Sequence, residues 1–177
     1  MTKFFALILS VISLSFFACG GIKPGSAKKG KKLYESFFVG EEGVQYFIKP
    51  IGFRNSAKET AFLDLTFRYK DTIQQSAALK GSLFTNELIK EADSLVWQSG
   101  AEQVVIRDID VIFTEREKDQ FHNRFSASMD GRALPRIFTT PDWKLHVYDE
   151  GKSVQFSPSP KGSKAIRTLE ASVFQLL

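Results

Sequence analysis

Along residues 60–71, "TAFLDLTFRYKD", Leu63, Leu65, Phe67 and Tyr69 alternate with Asp64, Thr66 and Arg68. A period of two is the mark of a strand with one face buried. Residues 104–115, "VVIRDIDVIFTE", repeat it, setting Ile109, Val111 and Phe113 against Asp108 and Asp110. After a polar turn at 117–119, "FHNRFSASMD" places Phe121, Phe125, Ala127 and Met129 on one face and His122, Arg124, Ser126 and Ser128 on the other. The two runs predict one long antiparallel hairpin. A second hairpin is predicted over 143–156, "WKLHVYDEGKSVQF", with Trp143, Leu145 and Val147 facing Val154 and Phe156. Its turn spans 149–152, where Gly151 is free to take positive φ. Residues 34–39 and 44–49 are strand-like too, and Pro50 ends the latter or places it at an edge.

Two stretches carry helical spacing. In residues 163–177, "SKAIRTLEASVFQLL", Ile166, Leu169, Val173, Leu176 and Leu177 line one side, with Ser163 as N-cap. In residues 85–100, "TNELIKEADSLVWQSG", Leu88, Ala92 and Leu95 share a face, Thr85 caps and Gly100 stops the run, although its "SLVW" end fits a strand equally. "GSLFTNE" and "SPSPKGS" are expected to be loops, the latter an extended connector before the last helix. The fold class is therefore α+β: a mostly antiparallel β-sheet or sandwich with a C-terminal amphipathic helix packed on it. Residues 33–177, about 145 in all, are an ordinary length for a single β-rich globular domain.

The N-terminus has a different pattern. Lys3 precedes an apolar run from Phe4 to Phe17, broken only by Ser10, Ser13 and Ser15, and a small-residue cluster follows at Ala18, Cys19, Gly20 and Gly21. Charged start, apolar middle and small cleavage region make a secretory signal. Fourteen or fifteen apolar residues at about 1.5 Å rise cover roughly 22 Å, short of the ~30 Å hydrocarbon core. Cys19 is the only cysteine in the chain, so it has no disulfide partner. "FFAC", residues 16–19, resembles the lipobox of bacterial lipoproteins, with Ala18 and Cys19 matching and Phe16 and Phe17 departing from the usual Leu and small residue.

That resemblance implies cleavage before Cys19 and acyl chains on its sulfur, leaving residues 1–18 as signal peptide and Cys19 as the lipid attachment site. It also implies residence at the outer membrane, since Gly20 rather than Asp follows Cys19. The lack of an acidic run beyond it favours the periplasmic face. Ordinary secretion, with cleavage after Gly20, is the alternative. Each buried acyl CH₂ contributes about 0.8 kcal/mol, and stable anchoring takes more than one chain, as a lipoprotein cysteine carries.

Charge sharpens the division. The chain carries a net +4 and a pI near 9.1, yet Lys3 and the five lysines of 19–32, "CGGIKPGSAKKGKK", account for six of its 24 basic residues. Residues 33–177 keep 18 basic residues against all 20 acids, a net of −2. The domain is slightly acidic, which speaks against nucleic acid. Residues 19–32 are a flexible basic tether with an r.m.s. reach of about 20 Å, whose lysines gain from anionic head groups or simply keep it soluble.

Candidate chemistry in the domain is sparse. His122 and His146 are the only histidines, and neither has metal-ligand spacing to a cysteine or to the other. With Cys19 acylated, no Cys/His zinc site is expected. No G-x-S-x-G elbow or phosphate-cradling glycine motif occurs. Asp108 and Asp110, two apart on a strand, supply two oxygen ligands where Ca²⁺ wants six to eight. Glu41 and Glu42 sit between Gly40 and Gly43 in a turn. No catalytic residue, cofactor or metal is assigned.

Thirteen of the 17 phenylalanines fall in the domain, spread evenly, as in a packed β-rich core or, more sharply, an apolar-ligand pocket. The expected function is a membrane-anchored envelope lipoprotein with a non-catalytic domain that binds an envelope protein partner. A carrier or sensor of an apolar ligand is the alternative, and a hydrolase with a motif-free active site the third class.

Overall fold

The structure is a computed structural model and describes residues 32–74, 76–140 and 142–176; the signal peptide, Cys19 and all but the last residue of the tether lie outside them. Eleven strands build one antiparallel sheet. They are β1 (Tyr34–Phe38), β2 (Val44–Arg54), β3 (Thr60–Lys70), β4 (Thr72–Ile73), β5 (Ser76–Thr85), β6 (Ser94–Ser99), β7 (Glu102–Ile106), β8 (Ile109–Glu117), β9 (Gln120–Asp130), β10 (Trp143–Asp149) and β11 (Lys152–Pro158). Their spatial order is β7-β6-β10-β11-β2-β3-β5-β9-β8, with β1 beside β2 and β4 beside β3. The sheet curls into a half-barrel. Its connectivity shows how far: β7 and β8 end the order on opposite sides, yet only Arg107 and Asp108 join them. Three peptide links span about 10 Å at most, so the two ends of the sheet must approach each other. Leu33–Leu177 cluster as one compact unit.

The period-two runs are strands, as expected. Ala61, Leu63, Leu65 and Phe67 of β3 are buried on the inner face, and Phe125 and Met129 of β9 join them. In the 143–158 hairpin Leu145 pairs with Phe156 and Val147 with Val154. Its turn takes positive φ at both Glu150 (48°) and Gly151 (80°), the twist that suits a two-residue hairpin loop.

Five expectations need correction. Residues 104–115 are two strands rather than one, because the chain crosses between sheet ends at Arg107–Asp108 and exchanges β6 for β9 as its neighbour. Pro50 does not end β2; it falls between Ile48, the last residue of β2 paired with β1, and Phe53, the first paired with β11. Lys49 and Pro50 stand together opposite Asp64 in a bulge, where proline's missing N–H breaks no ladder bond. Residues 85–100 hold no helix. Thr85 ends β5, residues 86–93 are irregular, and the "SLVW" end is the buried strand β6. "GSLFT" is strand rather than loop.

The C-terminal helix begins four residues early, inside the "SPSPKGS" expected as a connector, with Ser159 rather than Ser163 as its cap. After a 3₁₀ turn and the short helix α1 (Leu134–Ile137), α2 spans Pro160–Leu169 and runs on as a wider turn over Glu170–Phe174. Its N-cap is Ser159, whose hydroxyl accepts from the Gly162 N–H at 3.1 Å, and Pro160 fills N1. The Ser159 N–H in turn donates to the Gly52 carbonyl at 2.9 Å, and a Cβ on Gly162 would strike that carbonyl. The helix can lie this close to β2 only because residue 162 has no side chain.

Ile166, Leu169, Val173 and Phe174 then close the inner face. An unbroken file of rings runs through it: Trp97 to Trp143 (4.5 Å), Phe138 (4.6 Å), Phe174 (4.0 Å), Phe67 (5.6 Å), Tyr46 (5.1 Å) and Tyr34 (6.1 Å). Trp143 Nε1 reaches the Ile137 carbonyl at 2.9 Å. Much of the domain's phenylalanine content is thus core.

Candidate functional site

Two surface features of the sheet come into question: a cleft at one end of the strands and a row of rings on the outer face. The cleft lies where segment 86–93 passes between the β2–β3 and β10–β11 hairpins, and it encloses about 630 Å³. Three carboxylates hold that segment in place. Glu59, 7% exposed, accepts from Asn55 Nδ2 at 2.6 Å and from the Asn86 N–H at 2.8 Å. Asp149 accepts from the Lys90 and Glu91 N–H groups at 3.3 and 3.2 Å. Asp93 takes the Glu150 N–H at 2.8 Å. All but the Asn55 bond are charge-assisted bonds to main-chain N–H groups, and they give a segment without helix or strand a fixed course.

Across the mouth, Lys152 Nζ meets Glu87 Oε2 at 2.8 Å. That hydrogen bond and the lysine's charge lower the Glu87 carboxyl below its ordinary value, and the same contact raises Lys152. Both side chains stand in solvent, so the pair adds little to stability. Ile89, Val147 and Val154 give the cleft apolar walls, with Ser56, Ser153 and Gln155 at its rim. Neither histidine lines it, and its carboxylates are already engaged with amides or with Lys152.

The outer face carries the second feature. Phe62, Phe84, His122 and Phe113 stand on β3, β5, β9 and β8, four strands adjacent in that order. Phe62 meets Phe84 edge-on at 6.2 Å, Phe84 stacks on His122 at 4.3 Å, and Phe113 meets the same imidazole edge-on at 5.1 Å. His122 is therefore not on a solvated face as its spacing suggested. Its side chain is 16% exposed, its Nδ1 lies 3.5 Å from Glu115 Oε1, and its Nε2 is buried without a hydrogen-bond partner. At the bulge in β8, Ile112 is the extra residue between Val111 and Phe113 and is 53% exposed. Beside the row, Arg124 links Asp64 (3.3 Å) and Ser82 (3.2 Å).

The other residues singled out by sequence stay apart. His146 is on β10, separated from β9 by four intervening strands, and stacks with Tyr148 at 6.4 Å. Asp108 lies in the link between strands and Asp110 opposite Ser126 on β8, so they do not form a pair on one strand face. Glu41 and Glu42 occupy a 3₁₀ turn between Gly40 and Gly43, both at positive φ, and Glu42 pairs with Arg68. Among the described residues, no three His, Cys, Asp or Glu side chains gather as a metal site.

Sequence reasoning missed the row because an alternating run treats every second position as polar. The available signal was Phe62, an aromatic standing out of phase with Ala61, Leu63 and Leu65. Compared with known protein families and with curated protein sequences, the chain matches none.

Proposed function

We propose that this chain is a bacterial lipoprotein, anchored at the envelope through acyl chains on Cys19, whose β-domain works by binding a protein partner rather than by catalysis. The observation that supports binding is the outer aromatic row, which runs from Phe62 to Phe113 and onto the bulged edge strand at Ile112. Apolar side chains gathered on a solvent face mark interaction surfaces more often than isolated ones do. An edge strand with free main-chain groups can also accept a partner's strand. The anchor reading rests on "FFAC" and on the tether. It is compatible with a described chain in which no helix is long and apolar enough to cross a membrane.

The test is made in cells. A photoreactive residue at Phe113 should crosslink a specific envelope protein, and one at Lys152, beside the cleft, should not. No product from either position would remove the support for the outer face. Replacing Cys19 by Ala should leave the domain folded and shift it from the membrane to the soluble fraction. Purified protein should be inactive on generic ester, phosphate and glycan substrates.

A carrier of an apolar ligand is the second reading, favoured by the walls of Ile89, Val147 and Val154 in the cleft. Native mass spectrometry separates the two: a co-purifying lipid supports the carrier, an empty domain the binding module.

A further inference from the structure

Three exposed phenylalanines lie outside the outer row, in the first hairpin of the domain. Phe37 and Phe38 on β1 are 55% and 79% exposed, and Phe47 on β2 is 43% exposed. Phe37 and Phe47 touch edge to face at 5.8 Å on one face of the hairpin. Phe38, the next residue, points to the opposite face, beside the turn at Gly40–Glu42. β1 pairs only with β2 among the described strands. The result is an outlying strand with a bare ring on each side near its tip.

One exposed ring needs no explanation, but three on one short hairpin do. Their place in the chain supplies it. β1 opens at Tyr34, 15 residues after Cys19, and the segment between them carries lysines 23, 28, 29, 31 and 32 and no acid. The tether expected from the sequence has an r.m.s. reach of about 20 Å. The run from Tyr34 to Phe38 adds about 13 Å of strand, so the tip lies within reach of a bilayer at Cys19. Two of the hairpin's acids are matched by cations, Glu35 by Lys49 at 3.0 Å and Glu42 by Arg68, which lowers the repulsion an anionic surface would meet.

From these observations we infer that the β1–β2 hairpin is a membrane-contact element: Phe37, Phe38 and Phe47 seat in the interfacial layer of the bilayer that holds Cys19. This rests on the anchor reading and adds an orientation to it. β2 runs about 33 Å from Val44, next to the tip, to Arg54. Asn55, Glu59 and the 86–93 segment sit beyond Arg54, so seating the tip turns the cleft away from the lipid.

The test uses the acylated full-length product, reconstituted in phosphatidylethanolamine–phosphatidylglycerol vesicles with and without brominated acyl chains. Phe38→Trp places a reporter at the tip and Leu88→Trp one beside the cleft, each at an exposed position. Trp97 and Trp143 are 0% and 1% exposed and supply a constant background. The inference predicts that emission added by Phe38→Trp is blue-shifted on vesicles of either kind and quenched by brominated lipid, and that emission added by Leu88→Trp is not quenched. Vesicle-bound protein with equal emission from Phe38→Trp in both lipids would overturn it while the anchor stood. A purified chain without acyl groups would sink the anchor reading by itself. The same variant mixed with the same vesicles would then still decide: quenching keeps the contact element, and no quenching ends it.

Discussion

The inner and outer faces of the sheet use the same residue for opposite ends. On the inner face Phe53, Phe67, Phe138, Phe156 and Phe174 are at most 7% exposed, and Phe67, Phe138 and Phe174 stand in one file of rings with Trp97 and Trp143. On the outside Phe37, Phe47, Phe62 and Phe113 are 40–55% exposed. Phenylalanine content therefore says nothing of pocket or core until the face is known. Removing an inner ring leaves a cavity, whereas removing an outer one takes away apolar surface that already faced water and costs the fold little.

The largest effect should come from the middle of the inner file. Phe138→Ala should lower the unfolding free energy by about 3–5 kcal/mol in a denaturant titration. A loss under 1 kcal/mol would mean that the file does not hold the half-barrel together. Next comes Gly81, opposite Phe125, whose ring occupies the space a Cβ would need. Gly81→Ala should cost about 1–3 kcal/mol by overpacking. Ser159→Ala, which uncaps the helix over the inner face, should cost about 1 kcal/mol. On the outer face Phe62→Ser and Phe113→Ser should each change stability by no more than about 0.5 kcal/mol and yet abolish crosslinking from neighbouring outer positions.

The smallest effect concerns the border between the faces. Tyr46 stacks on Phe67 where the inner file runs out toward the β1–β2 hairpin. Burial, and then Tyr34 and Tyr69 beside it, raise its phenol above the ordinary 10.0. The folded state thus favours the protonated form. That contribution is complete below pH 10.0 and is lost as pH rises through the raised value. The thermal midpoint should fall above about pH 10 in the parent and less steeply in Tyr46→Phe.

What was legible in the sequence followed the strength of the inner alternation. β3 and the β10–β11 hairpin show apolar residues at every second place, and β9 does so apart from the buried Asn123. β5 was missed because its inward positions are Ala77, Leu79, Gly81, Leu83 and Thr85, where the small residues make room for rings such as Phe125 and do not register as apolar. The helix expected over 85–100 came from Leu88, Ala92 and Leu95. Leu88 is 43% exposed in the 86–93 segment and Leu95 is fully buried in a strand, so their helical spacing reflects no common face. The segment's true partners, Glu59 and Asp149, are 27 or more residues away from the amides they bind. The cleft and the outer row are products of strand order, which no local pattern encodes.

On the function proposed here, acylation at Cys19 makes this domain a surface-held binding module. Intact-mass analysis of the chain purified from its cells tests it directly. The predicted result is an amino terminus at Cys19 with a diacylglyceryl group, with or without a third acyl chain. A bare thiol on that residue, or a chain beginning beyond it, would contradict the claim.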